Sequence, residues 1–66
     1  MNKIKFLRRI SGVTQDTVAE KTGIDRSTVS RIERGFRRPT EEQKTKLSEF
    51  FDMESETVFP GGNQDE

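Results

Sequence analysis

Residues 15–35 read QDTVAEKTGIDRSTVSRIERG, and the two glycines in that stretch decide how the chain folds. Gly23 and Gly35 each follow a segment with apolar residues at helical spacing, where a left-handed residue ends a helix without a Cβ penalty. The first segment starts after Thr14, a good N-cap, with Asp16 in its first turn and Val18 and Ala19 facing inward. It ends near Thr22. The second starts after Asp25 as N-cap, turns Val29 and Ile32 inward and stops at Gly35. The link Thr22-Gly23-Ile24-Asp25 is too short for the two helices to lie antiparallel with full overlap, so they cross steeply. They share an apolar corner of Val18, Ala19, Ile24, Val29 and Ile32. A residue larger than Ala19 would hold the helices apart.

The same punctuation extends outward. A helix runs from about Lys3 to Ile10, with Ile4 and Leu7 on one face, and stops at Gly12. After Gly35 the segment Phe36-Arg37-Arg38-Pro39 forms a basic loop, because proline resists helix continuation. Thr40-Glu41-Glu42-Gln43 is a capping box that opens a fourth helix with an apolar stripe of Leu47, Phe50 and Phe51. Asp52 can take the left-handed turn that glycine fills elsewhere, and Glu54 to Phe59 make a short fifth helix stopped by Pro60. No stretch alternates as a strand does. The chain reads as an all-α, compact bundle of five short helices over residues 1–59, followed by a flexible tail, 60–66.

At 66 residues, with neither cysteine nor histidine, the chain has room for one core and lacks the usual ligands for zinc and groups for redox chemistry. No cofactor or metal is expected. No apolar run is long enough to span a bilayer, and the N-terminus has no secretory core, so a cytoplasmic protein is expected. Net charge is zero, yet residues 1–39 carry ten Lys/Arg against four Asp/Glu, and residues 40–66 carry two against eight. A net of +6 at the front and −6 at the back points to a polyanion on one side, unless the segregation is chance in a charge-rich chain.

With Val29 and Ile32 inward, helical spacing puts Arg26, Ser27, Ser30, Arg31 and Arg34 on the opposite face. Glu33 falls beside Ile32 on the inward half and Asp25 serves as cap, so this face holds no acid, whereas a merely soluble helix mixes signs. A B-DNA major groove admits an α-helix, arginine pairs bidentately with guanine, and short hydroxyls reach base edges or phosphates. That combination suits a groove.

Taken together, Ile4-x-x-Leu7-Arg8, Gly12-Val13-Thr14-Gln15, Val18-Ala19, Thr22-Gly23-Ile24, Val29-Ser30-x-Ile32-Glu33-x-Gly35, Pro39 and the Leu47 to Phe59 hydrophobics resemble the Xre-type helix-turn-helix domains of phage repressors, Cro proteins and small bacterial regulators. The resemblance covers residues 3 to about 59 and implies a lambda-repressor-like architecture with the helix-turn-helix at helices 2 and 3. It implies that Arg26, Ser27 and Arg31 read bases, with Ser30 at their periphery. It further implies phosphate contacts from Thr14 and Gln15, from Arg34 and the loop residues Phe36, Arg37 and Arg38, and peripherally from Thr28. The resemblance implies too that Gln15 braces the recognition helix and that Arg8 pairs with Glu33 in a partly buried structural salt bridge. Phe6, outward on helix 1, and Phe36 depart from the family's commoner polar and basic residues.

The expected function is a sequence-specific double-stranded DNA-binding regulator, a repressor in sense, bacterial or phage-encoded and associated with the nucleoid. The family's habit implies a homodimer through the C-terminal region on an inverted repeat. Two other readings stand beside it: an antitoxin- or antirepressor-like protein-interaction module, and a nonspecific DNA binder that uses the same arginines only on phosphates. An enzyme is not expected, since the sequence offers no phosphate loop, no usual nucleophile and no length to enclose a pocket, and no small-molecule ligand is evident.

Overall fold

Three of the five described helices are opened by the side chain of their N-cap residue. In this computed structural model, which describes residues 2–61, the elements are α1 (Ile4–Ser11), α2 (Gln15–Thr22), α3 (Arg26–Glu33), α4 (Glu41–Phe50) and α5 (Ser55–Val58). Thr14 caps α2 by accepting from the Thr17 amide, and Asp25 caps α3 by accepting from the Ser27 amide. At α4 the capping box is complete: Thr40 Oγ1 accepts from the Gln43 amide while Gln43 Oε1 accepts from the Thr40 amide. These bonds satisfy amides that helix geometry leaves without partners.

Three helices end in the same way. After α3, the Phe36 amide donates back to the Arg31 carbonyl and the Gly35 amide to that of Ile32, the paired bonds of a Schellman motif. The same pair closes α1 around Gly12 and α4 around Asp52. Asp52 has φ 56°, so an aspartate takes the left-handed role that spacing assigns to it. Gly23 has φ 77° with no atom within 4 Å of where a Cβ would stand, so its backbone angle and not lack of space requires glycine there. Thr22 completes that turn, donating to the Val18 carbonyl and accepting from the Ile24 amide.

The expected corner between α2 and α3 is present. Val18, Val29 and Ile32 are fully buried, Ile24 nearly so, and half-buried Ala19 packs against them. Ile4 and Leu7 of α1, Leu47 of α4, and Val58 and Phe59 at α5 close the same core. The α4 stripe differs in detail from its expected form. Phe50 and Phe51 are only half-buried and meet edge to face at 4.9 Å, while Lys44 and Ser48 join Leu47 on the inward face. Spacing explains this: positions 44, 47, 48 and 51 form one helical face, and Lys44 lays its stem along the core with its ammonium 3.2 Å from Glu41.

Two contacts of the N-terminal segment lie outside the periodic pattern. The Lys3 amide donates to the Val58 carbonyl at 2.9 Å, tying the start of α1 to α5. Asn2 accepts from the Ile4 amide and donates to the Ile32 carbonyl at 2.8 Å, capping α1 and tying it to the end of α3. The tail expected at 60–66 lies mostly outside the described residues, which end at Gly61.

The core is small, so substitutions within it should tell sharply. Ala19→Leu should lower stability by about 1–3 kcal/mol through overpacking at the helix crossing, and Ile32→Ala should cost about 2–5 kcal/mol. Because one core in a domain of this size contributes only about 3–5 kcal/mol, the second change should leave the chain largely unfolded in thermal melts followed by circular dichroism. An unchanged melting temperature for Ala19→Leu contradicts the packing at this corner.

Candidate nucleic-acid interface

The surface of α3 is shaped first by what happens to its one acidic residue. Glu33 is the last residue of the helix, and its side chain is only 2% exposed. Arg8 of α1 reaches it twice, Nη2 donating to Oε2 at 2.8 Å and Nε to Oε1 at 3.2 Å. Gln15, the first residue of α2, donates to Oε1 at 2.8 Å, and Arg8 also donates through Nη1 to the Val13 carbonyl. Burial raises the pKa of Glu33, but hydrogen bonds from Arg8 and Gln15, with the charges of Arg8 and Lys5, outweigh it and hold the carboxyl below its ordinary value of 4.5. One buried acid thus joins three helices.

Beyond Glu33 the exposed side of α3 carries Arg26, Ser27, Arg31 and Arg34. Ser30, placed on this side by spacing, is half-buried. It stands between Arg26 and Glu33 on the flank turned toward the first turn of α2, not at the centre of the exposed face. Thr28 lies on the other flank, half-buried beside a shallow depression lined by Ile24, Glu42, Gln43 and Lys46.

The exposed side chains differ in how they are held. Asp25 accepts from both the amide and the hydroxyl of Ser27, and these bonds lower its pKa, with smaller help from the Thr28 amide and the Arg26 charge. An ionised carboxylate only accepts, so the Ser27 hydroxyl spends its proton on the cap and turns an acceptor outward. The Arg34 guanidinium lies 5.1 Å from the centre of the Phe36 ring, a cation–π stack on a side chain that is itself 73% exposed. Arg37 is exposed in the following loop, Arg38 is exposed beside it, and Thr14 lies exposed where α2 begins.

One expectation needs correction. Spacing within α3 leaves its outer face free of acid, but the helix crossing brings Asp16 of α2 against it, with Oδ1 3.0 Å from Arg26 Nε. Asp16 reads locally as an acid placed at a helix N-terminus; its partner ten residues on depends on the crossing angle, which no local pattern encodes. Asn2 escaped the sequence reading for a similar reason, since its two bonds reach α3 from outside any helix.

Two helices crossed through a tight turn, with a hydroxyl- and arginine-bearing face on the second and its acid buried beneath, define a helix-turn-helix DNA-binding domain. Residues 4–58 match the helix-turn-helix family, and the chain belongs to the Xre (Cro/C1) type of that family. It is similar to an uncharacterized HTH-type transcriptional regulator of Methanocaldococcus jannaschii, 34% identical over 58 residues and 88% of each chain. The HTH-type transcriptional regulator YgzD of Bacillus subtilis, also uncharacterized, is 38% identical over the same shares of both chains. Among solved structures, the restriction-modification controller protein C.AhdI from Aeromonas hydrophila superposes with a TM-score of 0.81 at 35% identity, covering 86% of each chain. The protein is a DNA-binding transcriptional regulator, a family that is not an enzyme class. Among the described residues no helix is long and apolar enough to cross a membrane.

The Glu33 junction should show in acid. Its folded pKa lies below its unfolded value, so its contribution to stability is present above about pH 4.5 and is lost as pH falls through the lower folded value. Glu33→Gln should therefore flatten the acid limb of a plot of denaturation midpoint against pH. Glu33→Ala, which strands the Arg8 charge, should cost about 3 kcal/mol near neutrality. An acid limb unchanged by Glu33→Gln assigns the acid sensitivity to other carboxyls.

Proposed function

We infer that the protein is a sequence-specific repressor that lays α3 in the major groove and binds as a homodimer to an inverted repeat. The observation that carries this reading is the burial of Glu33 under Arg8 and Gln15, which leaves the outer side of α3 to arginines and a serine. The burial orients α1, α2 and α3 whatever the surface meets, and for a helix entering a polyanionic groove it has a second effect, because a carboxylate on the outer side would face phosphates.

Arg26, Ser27 and Arg31 are the base-reading residues in this reading. Arg31 has no ion-pair or side-chain hydrogen-bond partner among the described residues and is exposed one turn after Arg26 and Ser27, where its fork is open to a guanine edge. Ser27 presents an acceptor and so fits the amino group of adenine or cytosine. Half-buried Ser30 serves as a peripheral reader. Thr14, Gln15, Thr28, Arg34, Phe36, Arg37 and Arg38 bear on the backbone, with Phe36 holding Arg34 flat against it. The side-chain amide of Gln15 gives one of its two N–H donors to Glu33, so the second N–H and the backbone amide at the opening of α2 are left for a phosphate.

One short module makes few contacts, and two of them related by a two-fold axis would read half-sites about 34 Å apart, one helical turn. The C-terminal surface, where Met53 is exposed and Phe50 and Phe51 are half-buried, is the dimer surface in this reading. Bound over a promoter at the nucleoid, such a dimer represses by occupancy. The first test is selection of sites from a random duplex library, with sedimentation of the protein free and bound. Failure to enrich any motif leaves only a nonspecific binder or a protein-interaction module.

Single substitutions separate reading from positioning. Arg31→Ala should lower the preference for the selected site over random duplex by about 1–3 kcal/mol. Arg37→Ala should weaken binding to every duplex alike and reduce the salt slope by about one unit, read by fluorescence anisotropy across a salt series. Equal weakening on all duplexes by Arg31→Ala reassigns that residue to phosphate.

A further inference from the structure

The ion pair between Asp16 and Arg26 has no evident role in folding. Both side chains are largely exposed, 81% and 62%, and a pair so open to water contributes little to stability. Yet it joins the first turn of α2 to the first residue of α3, at the end of α3 where base reading is assigned. The arrangement is also costly for a DNA-binding surface, since it sets a carboxylate where phosphates approach. At the first turn of α2 the carboxylate already suits the positive helix end, and its pairing with Arg26 gives it a second task.

The atom that is paired supplies the role. Asp16 Oδ1 lies 3.0 Å from Nε of Arg26, an ion pair at the inner edge of the guanidinium. Guanidinium is a rigid planar fork with five N–H donors, so a carboxylate drawn to its inner edge restricts where the fork can lie and leaves the two Nη groups at the far end. Two parallel N–H donors at that end match O6 and N7 of guanine. A free arginine would have to surrender its rotamer freedom on binding and could equally slide to a phosphate. Once the groove excludes water, the Asp16–Arg26 attraction strengthens, and the arginine in turn neutralises the carboxylate facing the backbone.

We propose that Asp16 is a specificity-determining residue that positions Arg26, holding its Nη fork toward a guanine in the major groove. The proposal rests on Arg26 being a base reader, and Asp16 itself touches no base in it. Asp16 acts by orienting a neighbour, so its removal changes what is recognised more than how tightly DNA is held.

Site selection from a random duplex library at fixed salt, with the full chain and with Arg26→Ala, Asp16→Ala and the double variant, tests this. Arg26→Ala identifies the base pair read by Arg26 as the one whose guanine preference it abolishes. Asp16→Ala should lower guanine preference at that same pair by roughly tenfold, the order of one bidentate arginine–guanine contact. Affinity for random duplex should hold or rise, since a negative charge is gone, and the melting temperature should fall by no more than about 8 °C, the loss of one first-turn acid. The double variant should select the same sites as Arg26→Ala alone. If Arg26→Ala loses the preference and Asp16→Ala keeps it, the positioning role is overturned while the function stands. A preference lost by Asp16→Ala at a different base pair overturns it too, and makes Asp16 a direct reader, accepting from cytosine. If Arg26→Ala itself alters no preference, the base-reading assignment of Arg26 falls and the positioning role falls with it.

Discussion

The carboxylate of Glu33 is the constraint on which the arrangement of α1, α2 and α3 depends. It sits at the end of α3, nearly out of water, and is satisfied by a bidentate arginine from α1 and an amide from the opening of α2. A buried charge is tolerated only when paired and hydrogen-bonded, so the three helices must keep the orientation that brings Arg8 and Gln15 together. Hydrophobic contact among Ile4, Leu7, Val18, Val29 and Ile32 drives the helices together but has little directional preference. The Glu33 junction supplies the direction. It also removes negative charge from the outer side of α3, so in the proposed reading one interaction serves fold and function.

Much of this was legible in the sequence because it is local. Glycines and Asp52 at left-handed positions, Thr14 and Asp25 as caps and the capping box at Thr40 and Gln43 each depend on a few neighbouring residues, and the five helices follow from them. The core of α2 and α3 followed because only one face of each helix is apolar. The α4 stripe was less legible, since Lys44 and Ser48 are polar residues recruited to an inward face by spacing, while two phenylalanines at the helix end stay half-open. Composition alone misplaces such residues; position on the helix decides.

Contacts that cross between elements were the least legible. Asn2 ties α1 to the end of α3, and Lys3 ties α1 to α5, through backbone groups whose partners depend on how the bundle closes. The pairing of Asp16 with Arg26 is of the same kind, and it altered the picture of the interface more than any other. The face of α3 has no acid of its own, but the surface it presents is composite, built from two helices. Counting charges along one helix describes a surface only when no neighbour reaches across it.

The residues on that composite surface are held to different degrees, and the difference bears on how such a small domain can discriminate. Ser27 is fixed by Asp25, Arg26 by Asp16 and Arg34 by the Phe36 ring, each partner lying within ten residues of it. Holding a side chain before binding reduces the entropy lost on docking and restricts it to one geometry. A core this small cannot stabilise a deep pocket or a rigid second layer beneath every reading residue. It can instead position them through exposed neighbours, which cost little in stability because water screens them in the free protein. In the proposed complex those same contacts would strengthen as the groove displaces that water. In the proposed reading, specificity therefore resides less in the arginines, which any basic helix can offer, than in the acids and the aromatic ring beside them.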